Sequence, residues 1–278
     1  MPAKDRRTII TLTTDFGHRD HYVGSLRGVI HDINPQVKLI DITHDIPSYD
    51  IIHGAYVIGS TYYLFPRGTI HVGVVDPGVG GRRLPILVQT ENYFFIGPDN
   101  GLFSMVSLRE KIVAIYHLTN PRYFRPEVSQ TFHGRDLFTP VAAHLARGVK
   151  PRQFGARVRE MRRLPLFAMD VTPHQLQGHI IAIDKFGNAI TNITREAFSA
   201  HVRGKSFVLQ IGSKRISRIC ETYSQVAPGE AVAVFGSNHL LELALYQGSI
   251  ADFWRLKRGQ SLTARIVPAR KRPQSKFS

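Results

Sequence analysis

The chain has 278 residues, 43% of them hydrophobic, enough to build one large core or two modest ones and to place it among globular proteins. No run approaches eighteen consecutive apolar residues, and the opening MPAKDRRTIITLTTDFG lacks a long apolar stretch and a small-residue cleavage site, so the expectation is a soluble cytoplasmic protein with no membrane partner. A single cysteine, Cys220, excludes an internal disulfide and a multi-cysteine metal site, while the formal charge of +15 raises the question of a polyanionic partner.

Much of that charge lies in two stretches, residues 150–163 (KPRQFGARVREMRR) and 265–278 (RIVPARKRPQSKFS). Neither interleaves aromatic with basic residues as a single-strand-binding platform would, so both read as solvated surface and a nucleic-acid partner is not expected.

From residue 8 to about 164, short apolar runs alternate with amphipathic stretches: RTIITLTTDFG, YVGSLRGVIHDI, VKLIDITHDI, IIHGAYVIGSTYYLF, GTIHVGVVDPGVG, LPILVQTENYFFIG, GLFSMVSLRE and FTPVAAHLARG. Strands ending in Asp or Gly and followed by helix-compatible segments are βα units, which predict an α/β fold with a mostly parallel sheet covered by helices. The strand candidates are β-branched and almost continuously apolar, as strands buried on both faces should be. Beyond the basic stretch, QGHIIAIDKFGNAITNI, KSFVLQIGSKRISRI, EAVAVFGSNHLLELAL and QSLTARIV are short strands bounded by Gly, Asn or Ser, predicting a C-terminal antiparallel β-barrel-like domain. The expected division is an N-terminal α/β domain over 1–170 and a C-terminal domain over 171–278 that ends in the basic tail.

Open parallel sheets bind ligands at the carboxyl ends of their strands. The residues there are Asp15, Asp41, His44, Asp76, Asp99 and Asn100, joined by His133, Arg135 and Asp136 in QTFHGRD and by Asp184, Asn188 and Asn192 in AIDKFGNAITN. Several have a purely structural alternative: Asp99-Asn100-Gly101 reads first as a tight turn, and Asp15 and Asp76-Pro77-Gly78 are equally compatible with turns. GxGxxG, GxxxxGK[ST], HExxH and GxSxG are all absent, and no Asp/His spacing makes a zinc or calcium loop, so neither a cofactor nor a metal is expected.

Seven ordered blocks, TLTTDFGHRDHYVG, LIDITHDIPSYDI, VVDPGVGGRR, FIGPDNG, TFHGRDLFTPVAAHLARG, IDKFGNAITN and GSNHLLELAL, resemble the S-adenosyl-L-methionine (SAM) hydroxide adenosyltransferases, or SAM hydrolases, relatives of the SAM-dependent fluorinases and chlorinases. The resemblance implies hydrolysis of SAM to adenosine and L-methionine by a homotrimer whose sites lie between one protomer's N-terminal domain and its neighbour's C-terminal domain. It also implies Asp76, Arg83 and His133 as the catalytic trio, with His133 bonding the attacking water or receiving its proton. Asp15 would meet the ribose hydroxyls. Asp20, Asp184 and Ser237 would surround the methionine end, Tyr49 and Tyr223 would flank the nucleoside, Phe132 would line the pocket, and Asn188 would meet adenine.

Three departures stand out. Arg82 adjoins Arg83, so a one-residue difference in the turn would exchange them; Gln130 stands where the family has serine or threonine; and Asn238 stands where the halogenating relatives have arginine. A SAM-dependent halogenase and a non-catalytic nucleoside- or SAM-binding protein remain the competing readings.

Overall fold

The computed structural model describes residues 8–267, so most of the basic tail singled out above lies outside the described residues. The chain forms two compact units, one up to Leu164 and one from Pro165 onward. Among the described residues, no helix is long and apolar enough to cross a membrane.

The first unit is built on a seven-stranded sheet. Its strands are β1 (Ile9–Thr14), β2 (Lys38–Thr43), β3 (Ile70–Val74), β4 (Pro85–Thr90), β5 (Phe94–Pro98), β6 (Ile112–His117) and β7 (Arg157–Val158), in the spatial order β2-β1-β3-β5-β4-β6-β7. β2, β1, β3 and β5 are mutually parallel, and β4 runs against both of its neighbours. β7 runs against β6 in turn, so β4 and β7 alone oppose the direction of the other strands. The sheet is thus mixed and mostly parallel. The reversal at β4 is local: it precedes β5 by a three-residue turn at 91–93, too short for a parallel crossover.

Side chains alternate across each strand, so the sheet presents two apolar faces. Ile10, Leu12, Ile70, Val72, Val74, Leu87 and Ile96 pack on one side with Leu26 and Ile30 of α1 (Tyr22–Ile33) and with Val141, Ala142 and Leu145 of α3 (Thr139–Ala146). Ile86, Val88 and Phe95 pack on the other with Ile58 of α2 (Ile51–Thr61). Leu26 and Ile30 stand four residues apart, which puts both on the face of α1 that meets the sheet. α2 starts where the Asp50 side chain accepts from His53 N at 2.9 Å, an N-cap that ties the helix to the loop after β2.

The paired strands of the second unit are antiparallel. It comprises β8 (Asp170–Val171), β9 (Gln175–Ile183), β10 (Ala189–Thr194), β11 (Phe207–Ile211), β12 (Lys214–Ile216), β13 (Ala231–Phe235), β14 (Leu240–Leu245) and β15 (Ser261–Ile266). Seven of these run β12-β11-β15-β9-β10-β14-β13, with β8 added against β9, as a barrel-like sheet around Leu176, Ile180, Ile193, Leu209, Leu243 and Leu262. Two short helices, α4 (Arg195–Val202) and α5 (Ile250–Trp254), contribute Phe198 and Ile250 to that core.

Strands β3 and β5 approach closely at their carboxyl ends because both carry glycine there. A Cβ at Gly97 would lie 2.3 Å from the Gly73 carbonyl oxygen, a backbone atom that cannot swing aside. Gly97→Ala is expected to destabilise the protein by about 1–3 kcal/mol through overpacking, read as a lower denaturation midpoint with the slope unchanged.

Candidate active site

The carboxyl ends of β1, β2, β3 and β5 lie along one edge of the parallel half-sheet, and the loops leaving that edge carry Asp15, His44, Asp76 and Asp99. At its centre a hydrogen-bonded chain joins three side chains. Arg83 donates through Nε to Asp76 Oδ1 and Oδ2 at 3.1 and 2.9 Å, and through Nη2 to Oδ2 at 2.5 Å. The same Nη2 donates to His133 Nδ1 at 2.7 Å. The carboxylate and guanidinium side chains are 5% and 9% exposed, so this ion pair is largely buried but not closed off. Arg82 is exposed on the surface; Arg83 is the arginine that meets Asp76.

Each member is held by its own loop. Asn100 donates through Nδ2 to the carbonyl of Val75 at 2.8 Å, fixing the backbone next to Asp76. Asp99 anchors the following turn by accepting from Arg162 N at 2.7 Å, so the Asp99-Asn100-Gly101 block is scaffold, with Gly101 at φ +101°. Gly80 has φ +74°, and a Cβ there would sit 2.3 Å from the Gln130 carbonyl oxygen. That contact presses the 76–83 loop against the segment leading to His133, and accounts for a glycine at this point of the DPGVGG sequence.

His133 itself precedes a π-helical turn, Gly134–Phe138, a feature that frequently marks functional sites. Asp136 in that turn is fully buried. It accepts from Arg135 Nε and Nη2 at 2.7 and 3.0 Å and from Ser129 N at 2.9 Å, so Arg135 and Asp136 brace the turn, and the side chain of the motif that meets Arg83 is His133.

The arginine dictates the protonation of the histidine. A guanidinium has only donors, so Nδ1 must accept and the imidazole is neutral with its proton on Nε2. Burial, reinforced by the Arg83 charge, holds the His133 pKa below its ordinary value, against the opposing pull of Asp76 and Asp136. His133 can therefore donate from Nε2, but its Nδ1 lone pair is committed and receives no proton from a water.

Around this chain, Asp15 accepts from Tyr49 N at 2.8 Å, and its pKa is raised chiefly by burial, with the charge of Asp76 adding to the rise. Tyr49 is 72% exposed and adopts φ +68°, an unusual backbone for a tyrosine that swings its ring out of the core. Asp20 is exposed in the segment before α1. Phe132 is buried in an aromatic cluster with Phe16 and Tyr22, at ring separations of 5.7 and 5.2 Å. Asp41 lies inside β2, where Arg27 clamps it. His44 is fully buried against Thr14 Oγ1, with Nδ1 at 2.8 Å, and Gly17 N donates to the His44 carbonyl at 2.8 Å. Asp41 and His44 thus support the Asp15 loop.

The second unit gathers a separate polar set. Asp184 accepts from Phe186 N and Asn188 N through Oδ1, and from Asn188 Nδ2 through Oδ2, each at 2.9 Å, which closes the loop between β9 and β10. Asn192 is absorbed structurally, bonding His179 N and the carbonyls of Leu166 and Ala168. Ser237 is exposed in the β13–β14 turn, where His239 N donates to the Gly236 carbonyl at 2.9 Å. Tyr223 donates through its hydroxyl to Glu242 Oε1 at 2.7 Å. Glu242 was not among the residues expected, because it sits inside a strand and attention fell on strand ends; a single charge within LLELAL was the available signal. Among the described residues, no three or more His, Cys, Asp or Glu side chains gather as metal ligands.

Residues 10–155 match the model of the SAM hydroxide adenosyltransferase N-terminal domain, and residues 178–263 that of the C-terminal domain. The chain is 34% identical over 256 residues to an (R)-S-adenosyl-L-methionine hydrolase of Thermus thermophilus, covering 88% of this chain and 95% of the relative. A fluorinase of Nocardia brasiliensis is more distant, 27% identical over 94% of this chain and 98% of its own. A crystal structure of an uncharacterized conserved protein from Thermotoga maritima superposes with a TM-score of 0.85 at 31% identity, covering 93% of this chain and all of the other.

Replacing Arg83 by glutamine removes the charge that depresses His133. The His133 pKa is expected to rise in Arg83→Gln, seen by NMR titration of the imidazole resonance that disappears in His133→Asn; an unchanged pKa would break the link drawn here.

Proposed function

The chain belongs to the SAM hydroxide adenosyltransferase family, and we propose that it hydrolyses S-adenosyl-L-methionine to adenosine and L-methionine, with Asp76, Arg83 and His133 at the reacting centre. The observation that carries this reading is the buried Asp76–Arg83–His133 chain at the carboxyl end of β3.

The reaction needs little help with its leaving group. Attack at C5′ breaks the C5′–S bond, the electron pair returns to sulfur, and a cationic sulfonium departs as neutral methionine. The difficulty lies in the nucleophile. Moving a proton from free water, pKa about 15.7, to an ordinary aspartate, about 3.9, would cost roughly 16 kcal/mol, so hydroxide cannot form as a separate step. Asp76 instead orients a water in line with the C5′–S bond and takes its proton as the new C5′–O bond makes that oxygen acidic. The proton then passes to solvent.

Arg83 fixes the direction of Asp76, since three donor contacts leave the carboxylate little rotational freedom. His133 adds a donor at Nε2 that holds the water without competing for its proton. Alignment of this kind is worth several kcal/mol of barrier, comparable with the general-base contribution.

A halide nucleophile would meet the negative Asp76 where water meets an acceptor, which argues against the halogenase reading. In the same proposal Asp15 takes the ribose hydroxyls, with Tyr49 beside the nucleoside and Phe132 lining the pocket. Asp20 lies at the methionine end. The C-terminal residues Asp184, Asn188, Tyr223 and Ser237 come from a neighbouring copy, in a homotrimer. The cytoplasm, which holds SAM, is the expected compartment.

Incubation with SAM in ¹⁸O-labelled water should yield methionine and adenosine labelled at the 5′ oxygen; added chloride should give no 5′-chloro-5′-deoxyadenosine. Asp76→Asn should lower kcat by about 10²–10⁴-fold while its thermal melt stays cooperative, and near-normal turnover would remove Asp76 from the mechanism. Sedimentation equilibrium should return three protomer masses; a monomer would refute the shared site.

A further inference from the structure

β2 and β1 run parallel with one irregularity. Leu12 stands opposite Asp41 and Thr13 opposite Thr43, so Ile42 is an extra residue in β2. Residues three apart on a regular strand point to opposite faces, and an inserted residue restores the phase. Asp41 and His44 therefore reach the same side, where His44 Nε2 and Asp41 Oδ1 face each other at 3.2 Å. Both atoms are buried, and neither has another hydrogen-bond partner among the described residues.

Elementary rules fix the direction of every bond in the chain that follows. Arg27 has only donors, and its Nη2 meets Asp41 Oδ2. Burial works to raise the Asp41 pKa, but the bonds from Arg27 and His44 outweigh it, so Asp41 is an anion that can only accept. Burial holds the His44 pKa below its ordinary value, which keeps the imidazole neutral with one proton. That proton lies on Nε2, toward the carboxylate. Nδ1 is left as an acceptor, and the Thr14 hydroxyl at 2.8 Å donates to it. With its hydrogen so directed, Thr14 Oγ1 turns a lone pair to Phe16 N, which donates at 3.3 Å.

The chain ends on both sides of Asp15. Thr14 also accepts at its carbonyl from Ile46 N at 3.3 Å, and Gly17 N donates to the His44 carbonyl at 2.8 Å, with Gly17 at φ +66°. Residues 14, 16 and 17 are thus tied to His44 or its neighbours, and residue 15 between them carries the carboxylate.

We propose that Asp41, His44 and Thr14 are positioning residues for the sugar: their one-way chain of hydrogen bonds presets the Asp15 turn for the two ribose hydroxyls, and so sets the preference for ribonucleosides over nucleosides lacking that diol. This rests on the hydrolase reading above and deepens its ribose end. None of the three need touch the ligand. Preorganisation of this kind favours the ligand whose donors match the fixed carboxylate and gives nothing to one without them.

The test compares adenosine with 2′,3′-dideoxyadenosine by calorimetry. Thr14→Val keeps the shape of the side chain and deletes the hydroxyl. It should weaken adenosine by about 5–20-fold, part of the value of hydrogen bonds to a charged group, and shift the dideoxynucleoside by less than about twofold. Thr14→Ser restores the hydroxyl and should restore most of the preference. In turnover the loss in the valine variant should fall on KM for SAM, with kcat largely kept. Equal weakening of both nucleosides, or none of adenosine, overturns the proposal.

Asp41→Asn tests the direction of the chain. Asparagine offers one acceptor where aspartate offers two; with Arg27 keeping the oxygen, an amide N–H faces Nε2 and drives the His44 proton to Nδ1. The imidazole ¹⁵N shifts should report that change of tautomer, and adenosine should bind more weakly while the dideoxynucleoside does not. A switched tautomer with unaltered adenosine affinity overturns the proposal, and this variant is read alone should the valine one fail to melt cooperatively. A wild type that cleaves SAM yet binds both nucleosides alike overturns the proposal and leaves the hydrolase reading standing. A wild type that binds neither and releases no adenosine removes both.

Discussion

A single guanidinium organises the carboxyl edge of the first unit's sheet. Arg83 spends Nε and Nη2 on Asp76, and Nη2 again on His133, within a pocket that exposes 9% of its own side chain and 5% of the carboxylate. Buried ion pairs of this kind gain little net stability, because desolvation consumes most of the attraction. What they gain is definition. A guanidinium offers only donors, so Asp76 meets it with both carboxylate oxygens and His133 must present a lone pair toward it. One residue thereby sets the direction of one neighbour and the tautomer of the other.

The surrounding loops are arranged to keep that geometry from drifting. Gly80 lets the 76–83 loop press on the Gln130 carbonyl, Asn100 grips the carbonyl of Val75, and Asp136 braces the turn that begins at His133. These contacts come from three separate segments that the parallel strands deliver to one edge, so the sheet topology and the reacting centre are a single structural fact. The charge of the whole chain acts in the opposite sense. A protein of formal charge +15 repels a substrate of net positive charge at long range, and carboxylates placed within a few ångströms must reverse that field locally.

Much of the scaffold was legible because it depends on local pattern. The β-branched runs of β1 and β3 and the Gly- and Asn-bounded strands beyond residue 170 announce themselves by composition. The reversal of β4 was also within reach, since a three-residue link cannot join parallel strands. The candidate site was named mainly through resemblance, because Asp76-Pro77-Gly78 alone is as good a turn as it is a catalytic loop. The choice of Arg83 over Arg82 depends on where a loop containing a left-handed glycine doubles back, a property of its contact with Gln130 rather than of its own residues. Asp136 looked as chemical as His133 and proved to be scaffold, for a carboxylate three residues from a histidine has the same sequence signature whether it faces a ligand or its own backbone.

Glu242 shows the converse failure. A search confined to strand ends finds polar groups that solvent could also satisfy, and misses one enclosed by strand neighbours. Asp184 and Glu242 are both acids of the second unit, yet they are held differently: one accepts three bonds from its own loop, the other accepts the Tyr223 hydroxyl from a separate segment. Sequence distance, rather than charge, separates the two: the loop acid is fixed by residues 2 and 4 positions away and the strand acid by one 19 positions away, so only the first is readable from its local sequence.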